Sequence, residues 1–191
     1  GVLLSDYLLM RKKENGTLPV NPVIVKTIVT TELVRKVAAP YGAEIKDVLT
    51  GFKYIGDVIG KLEKKGEENR YVLGFEESYG YLSGTYVRDK DGVNASMLVA
   101  EMAAYYKGKG KTLIDRINEI YSLYGLYEHK LVTYEFAGAE GNDKMKSLLK
   151  ALRDRLPEEI AGSKVIRSVD YLTQTEADLP RSNVLSFFTE D

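Results

Sequence analysis

Three short apolar runs, each followed by a stretch with apolar residues at helical spacing, constrain this chain more than any other feature. Val23-Ile24-Val25 is a β-branched run suited to a buried strand. Thr30-Thr31-Glu32 then opens an amphipathic segment with Leu33, Val34, Val37 and Ala38, ending near Pro40-Tyr41-Gly42. Residues 43–49 read as a second strand closed by Thr50-Gly51, and Ile55, Val58, Ile59 and Leu62 mark the next helix. The third strand covers 71–75, and beyond Asp91-Gly92 a helix with a broad apolar face runs through Tyr106. A leading helix carries Val2, Leu3, Leu4, Tyr7, Leu8 and Leu9 and stops at Asn15-Gly16. Thr112 and Asp115 have the spacing of a capping box for one more helix. Strand and helix alternating three times is the signature of an α/β domain, and predicts a three-layer mixed sheet with helices on both faces.

The pattern changes after Gly125. Residues 127–136 alternate like an antiparallel strand, 143–156 have helical spacing, and strands are expected over 165–172 and 184–188. This predicts an α/β domain over 1–126, followed by an incomplete α+β unit over 127–191. Exposed strand edges in an unfinished unit can pair with another copy, so self-association through 127–191 is expected.

Composition excludes several classes of function. Lys plus Arg number 27 against 28 Asp plus Glu, and this balance gives no support to non-specific nucleic-acid binding. There is no cysteine, which removes disulfides, thiolate nucleophiles and cysteine-held zinc together. His129 is the single histidine and cannot build a histidine-rich metal site or a Ser/His/Asp constellation. No apolar stretch reaches the ~20 residues that span a bilayer, and no signal-peptide layout opens the chain. A cytoplasmic setting is expected.

Two tempting motifs fail on spacing. Gly110-Lys111-Thr112 lacks both the glycine and the upstream strand that a phosphate loop needs, since Tyr105 occupies the glycine position. Asp89, Asp91 and Asn94 lack the alternation and the later glutamate of a calcium loop. What remains is three turns: Thr50-Gly51-Phe52-Lys53, Glu76-Glu77-Ser78 and Arg88-Asp89-Lys90-Asp91-Gly92. The carboxyl ends of strands in open α/β sheets carry ligand sites, and adjacent loops there converge. Carboxylates accept hydrogen bonds from sugar hydroxyls, serine donates or accepts, and lysine or arginine attracts phosphate. The set fits an anionic, hydroxyl-rich ligand such as a sugar phosphate.

These three motifs, in this order, resemble the third domain of the α-D-phosphohexomutases, the phosphoglucomutase/phosphomannomutase superfamily. Val25-Lys26-Thr27 and Thr30-Thr31-Glu32-Leu33 are also similar, and the resemblance covers residues 1–126, with 127–191 like the opening of the family's fourth domain. It implies phosphoryl transfer between the 1 and 6 positions of a hexose, through a phosphoserine and a bisphosphorylated sugar. By that resemblance Glu76 and Ser78 hold sugar hydroxyls, Gly51 and Phe52 belong to a neighbouring substrate loop, and Lys90 acts at the transferring phosphate; Lys53 and Arg88 join the substrate-binding set as cations of the three turns. The double-glutamate loop leans towards glucose phosphates over mannose phosphates, with a phosphopentomutase-like specificity open. A non-catalytic sugar-phosphate binding or interaction module is the alternative. The family's phosphoserine loop, aspartate-rich Mg²⁺ loop and fourth-domain phosphate loop have no counterpart here. The chain therefore reads as a fragment with no metal ligands of its own. Mg²⁺ and glucose-1,6-bisphosphate belong to the parent enzyme, and the missing domains and a hexose phosphate are the expected partners.

Overall fold

The structure, a computed structural model, describes residues 1–173 and 179–190. The chain divides into two compact units, Gly1–His129 and Lys130–Asp191.

The first unit is built on strands β1 (Val23–Thr27), β2 (Glu44–Val48), β3 (Tyr71–Phe75) and β4 (Tyr81–Leu82), in the order β2-β1-β3-β4. The first three are parallel, and the two-residue β4 pairs antiparallel to β3, which makes the sheet mixed as expected. All five residues of β1 and of β3 are buried, the pattern of a strand covered on both faces. Neighbouring side chains of β3 show those two faces. A Cβ on Gly74 would strike Ile55 of helix α3 (Phe52–Glu63), whereas the ring of Phe75 lies against Gly1, at the start of helix α1 (Val2–Glu14). Helix α2 (Leu33–Ala38), α4 (Gly92–Gly108) and α5 (Leu113–Tyr124) join α1 in one hydrophobic cluster, with Leu9, Leu33, Met102 and Ile120 among its buried members.

Two polar devices lock these layers. Arg116 of α5 donates from Nε and Nη2 to the two oxygens of buried Asp6 in α1, both at 2.8 Å, and the Tyr106 hydroxyl donates to the same carboxylate at 3.4 Å. Lys26 of β1 is fully buried; its Nζ meets Glu32 at 2.8 Å and Asp47 at 2.9 Å and donates to the Thr30 carbonyl at 3.1 Å. Arg35 pairs with both of those acids. Burial pushes the Glu32 carboxyl up, but hydrogen bonds from Lys26 and Arg35 outweigh it and hold the group below its usual range. The network ties the carboxyl ends of β1 and β2 to the start of α2.

The expected capping box on α5 is present: Asp115 N–H donates to Thr112 Oγ1 at 3.1 Å and Thr112 N–H donates to Asp115 at 2.7 Å.

The second unit contains helix α6 (Gly138–Asp154) and antiparallel strands β5 (Glu159–Ile160), β6 (Ser163–Asp170) and β7 (Leu185–Thr189). Arg153 holds Asp170 from Nε at 3.0 Å and Nη2 at 3.2 Å. The strand expected over 127–136 does not form. Residues 127–136 pair with none of the described strands, and Leu131 and Tyr134 remain 82% and 79% exposed, so the alternation buries no face.

Candidate functional site

The strand order reverses between β1 and β3, which makes their carboxyl ends the switch point where α/β sheets open a crevice. Residues 76–80 leave β3 at that point. Glu76 N–H donates to the Gly80 carbonyl at 3.0 Å, closing the loop and turning the chain into β4. The Glu76 side chain is 6% exposed, and its Oε2 is buried without a hydrogen-bond partner. A buried carboxylate oxygen left unpaired costs roughly 1–3 kcal/mol, a cost that a ligand hydroxyl placed there would offset. Gly80 permits the arrangement, because a Cβ at that position would lie 2.8 Å from Glu76 Oε1 and 3.0 Å from Phe52 Cδ2. Glu77 and Ser78 are exposed on the same loop. Glu76 and Glu77, with Tyr79 and Tyr81, wall a cavity of about 390 Å³.

The loop after β2 supplies a second edge. Gly51 stands at φ +126°, a conformation open to glycine, and precedes the first residue of α3. Phe52 is 4% exposed, so its ring is packing material beside Glu76 and Gly80. The first turn of α3 directs the ring into the core.

The segment after β4 returns to the same place. Asp91 N–H donates to the Tyr81 carbonyl at 2.8 Å, which brings residues 89–91 back beside the carboxyl end of β3. Asp91 caps α4 by accepting from Val93 N–H and Asn94 N–H at 2.9 Å each, and from the Tyr86 hydroxyl at 2.6 Å. Those donors, the Tyr86 hydroxyl foremost, hold its carboxyl below the usual range. Lys90 Nζ lies 5.8 Å from the centroid of the Phe52 ring and 3.1 Å from Asp89. The Asp89 carboxyl is lowered, first by the Lys90 backbone N–H and then by its ammonium. Phe52 is thus the common neighbour of Glu76 and Lys90.

Lys53 and Arg88 go elsewhere. Both line a different groove of about 520 Å³ along α3, with Lys61 and Lys64. Arg88 pairs with Glu63 near the far end of that helix, and its carbonyl sits where a Cβ on Gly56 would fall. Lys53 Nζ lies 4.9 Å over the ring of Tyr54. Of the sequence candidates, then, Gly51, Phe52, Glu76, Ser78 and Lys90 gather at the carboxyl end of β3, whereas Lys53 and Arg88 do not. Two contributors were missed by sequence reasoning. Gly80 matters for space, which no spacing rule reveals; Lys26 is signalled by a lysine inside an otherwise apolar strand.

Among the described residues, no group of three or more His, Cys, Asp or Glu side chains is placed to hold a metal ion. Among the described residues, no helix is long and apolar enough to cross a membrane.

Comparison with known proteins adds family context. Residues 1–124 match the family model described as phosphoglucomutase/phosphomannomutase, alpha/beta/alpha domain III. Phosphoglucomutases of Staphylococcus haemolyticus and Staphylococcus aureus are each 35% identical over 195 residues, covering 97% of this chain and 34% of their own length. The chain thus spans about a third of the curated relatives it matches. In fold it resembles parafusin, a phosphoglucomutase from Paramecium in its open form, with TM-score 0.57 and 22% identity over 97% of this chain and 30% of that one.

Proposed function

The chain belongs to the phosphoglucomutase/phosphomannomutase family, and from that premise we propose that it forms the sugar-selecting part of a hexose-phosphate mutase. In this reading Glu76 and Ser78 hold the sugar hydroxyls: the carboxylate accepts from a donor hydroxyl, and the serine donates or accepts. Gly51 and Phe52 offer backbone groups at the next loop. Lys90 stands where a phosphoryl group carried by that sugar would lie, and its ammonium spreads the charge that builds on the phosphoryl oxygens during transfer between the 1 and 6 positions. The accepting and donating nucleophile, a phosphoserine, and the Mg²⁺ that neutralises charge in the family would come from parts of a longer protein. The observation that carries the reading is the buried, unpaired Oε2 of Glu76 at the switch point of the sheet. Arg88, tied to Glu63, and Lys53 are set aside from direct substrate contact.

Selectivity follows from the same residue. A site that buries a hydrogen-bonding group rejects ligands that leave it unpaired, so the sugar whose hydroxyl reaches Oε2 is the one preferred. Glucose phosphates are the proposed class, with mannose phosphates second. The test is titration of glucose 1-phosphate and mannose 1-phosphate into this chain, followed by amide NMR. Shifts confined to 50–53, 76–81 and 89–92, lost in Glu76→Gln, are expected. Shifts scattered over the surface, or unchanged by Glu76→Gln, would sink the reading. Without companion domains the dissociation constant is expected to be about 1 mM or weaker.

A further inference from the structure

Tyr79, like the unpaired Oε2 of Glu76, is a feature of the site that packing and hydrogen bonding leave unexplained. It sits at φ +61°, in the left-handed region that bulky side chains rarely occupy, and its side chain is 89% exposed. Among the described residues no ring stacks on it and no group bonds its hydroxyl. Exposure of a large aromatic and a strained backbone are both unfavourable for the free chain, and neither is offset by a contact within it. Backbone strain of this kind persists at ligand-binding positions. Its neighbour Tyr81 shows the contrast: that ring is held from behind by Phe75, with centroids 6.1 Å apart and planes 11° from parallel. Tyr79 shares the wall of the 390 Å³ cavity with Glu76, whose buried Oε2 has no partner.

We propose that Tyr79 is a specificity-determining residue that presents its ring to the C–H face of a bound pyranose, while Glu76 takes a hydroxyl at its edge. The inference rests on the sugar-selecting role proposed for this loop. A pyranose has two kinds of surface, a polar rim and an apolar C–H face, and a carboxylate can satisfy only the first. An aromatic ring with a polar tip suits the second. The left-handed conformation at residue 79 is what keeps the ring out of the core and on the cavity side. Replacement by glycine removes the ring and fits the backbone without strain, so stability and binding move in opposite directions.

The experiment compares wild type, Tyr79→Phe, Tyr79→Gly and Glu76→Gln in titrations with glucose 1-phosphate and with inorganic phosphate, alongside melting temperatures. Tyr79→Phe should bind glucose 1-phosphate like wild type. Tyr79→Gly should bind it about 3- to 10-fold more weakly, with an unchanged or higher melting temperature and unchanged response to inorganic phosphate. Wild-type affinity in Tyr79→Gly with a loss in Glu76→Gln would overturn this inference and leave the loop's role standing. Absence of binding by wild type, or no loss in Glu76→Gln, would overturn both.

Discussion

Gly80→Ala tests how the Glu76 carboxylate is held, and its cost can be worked from contacts. The added methyl would sit 2.8 Å from Glu76 Oε1, 2.9 Å from Glu76 Cγ and 3.0 Å from Phe52 Cδ2. Gly80 has an ordinary φ, so the perturbation is steric alone. Inserting a methyl into a well-packed place costs roughly 1–3 kcal/mol. Phe52 is walled in at 4% exposure, so Glu76 has to move. Swinging into water releases its unpaired Oε2, and this returns a good part of the roughly 1–3 kcal/mol that leaving it buried costs. The net loss should be about 1 kcal/mol, or about 4 °C in melting temperature. Gly74→Ala is the reference: its methyl would lie 2.4 Å from both Ile55 Cγ2 and Tyr71 Oη, with nowhere to relax, and about 3 kcal/mol is expected. Urea denaturation followed by far-UV circular dichroism measures both, and glucose 1-phosphate titration should show Gly80→Ala as impaired as Glu76→Gln. Equal destabilisation by the two alanines would refute the idea that an unpaired Glu76 is poised to leave. Unimpaired binding by Gly80→Ala would separate Glu76 from the ligand altogether.

Gly60 lies inside α3 with nothing within 4 Å of an added Cβ, so Gly60→Ala should raise stability by roughly 0.5–1 kcal/mol, read as a higher urea midpoint. Asp6→Ala leaves Arg116 largely buried beside a hole and should cost roughly 3–5 kcal/mol, whereas adding Arg116→Met to it should recover part of that loss; a double-mutant cycle in urea checks both. On acidification, Glu32, Asp91, Asp115 and Glu119 act together, since each has a folded-state pKa below its ordinary value. Their stabilisation is fully present above the unfolded values, 3.8 for Asp and 4.5 for Glu, and is lost as pH falls through the depressed folded ones. These carboxylates should therefore make the urea midpoint drop steeply below about pH 4, and a midpoint that rises there on acidification would contradict the assignment.

Sequence periodicity carried the layered α/β core because β1 and β3 are buried on both faces and the helices between them are amphipathic, patterns that depend on near neighbours in the chain. The same reasoning failed at 127–136, where alternation was taken as sufficient for a strand. A strand also needs a partner edge, which is a property of the rest of the fold. The candidate site divided in the same way. Glu76, Ser78 and Lys90 follow from loop position and residue chemistry. Convergence of the loops that follow the strands also predicts Lys53 and Arg88 there, yet the long segment between β4 and α4 passes along α3 before it returns, and leaves Arg88 beside Glu63. The unpaired state of Glu76 and the left-handed Tyr79 were illegible, since both depend on where backbone and neighbours come to rest.

The antiparallel β4 explains how the loop after β3 and the segment leading into α4 return to the same end of the sheet. A parallel successor to β3 would have carried the chain across a helix to the opposite end of the sheet. Instead the tight loop over 76–80 reverses it at once, and the bond from Asp91 N–H to the Tyr81 carbonyl brings the downstream segment back to the mouth of the crevice. The Phe52 ring, at the start of α3, lies close to both Gly80 and Lys90. Each of the three segments has its own anchor: 76–80 its closing bond, 51–53 the buried Phe52 ring, and 89–91 the strand bond and the cap on α4. Under the proposed sugar-selecting role, a substitution that alters selection without disturbing the packing around Phe52 has to be made at the exposed residues of the loop, Ser78 and Tyr79.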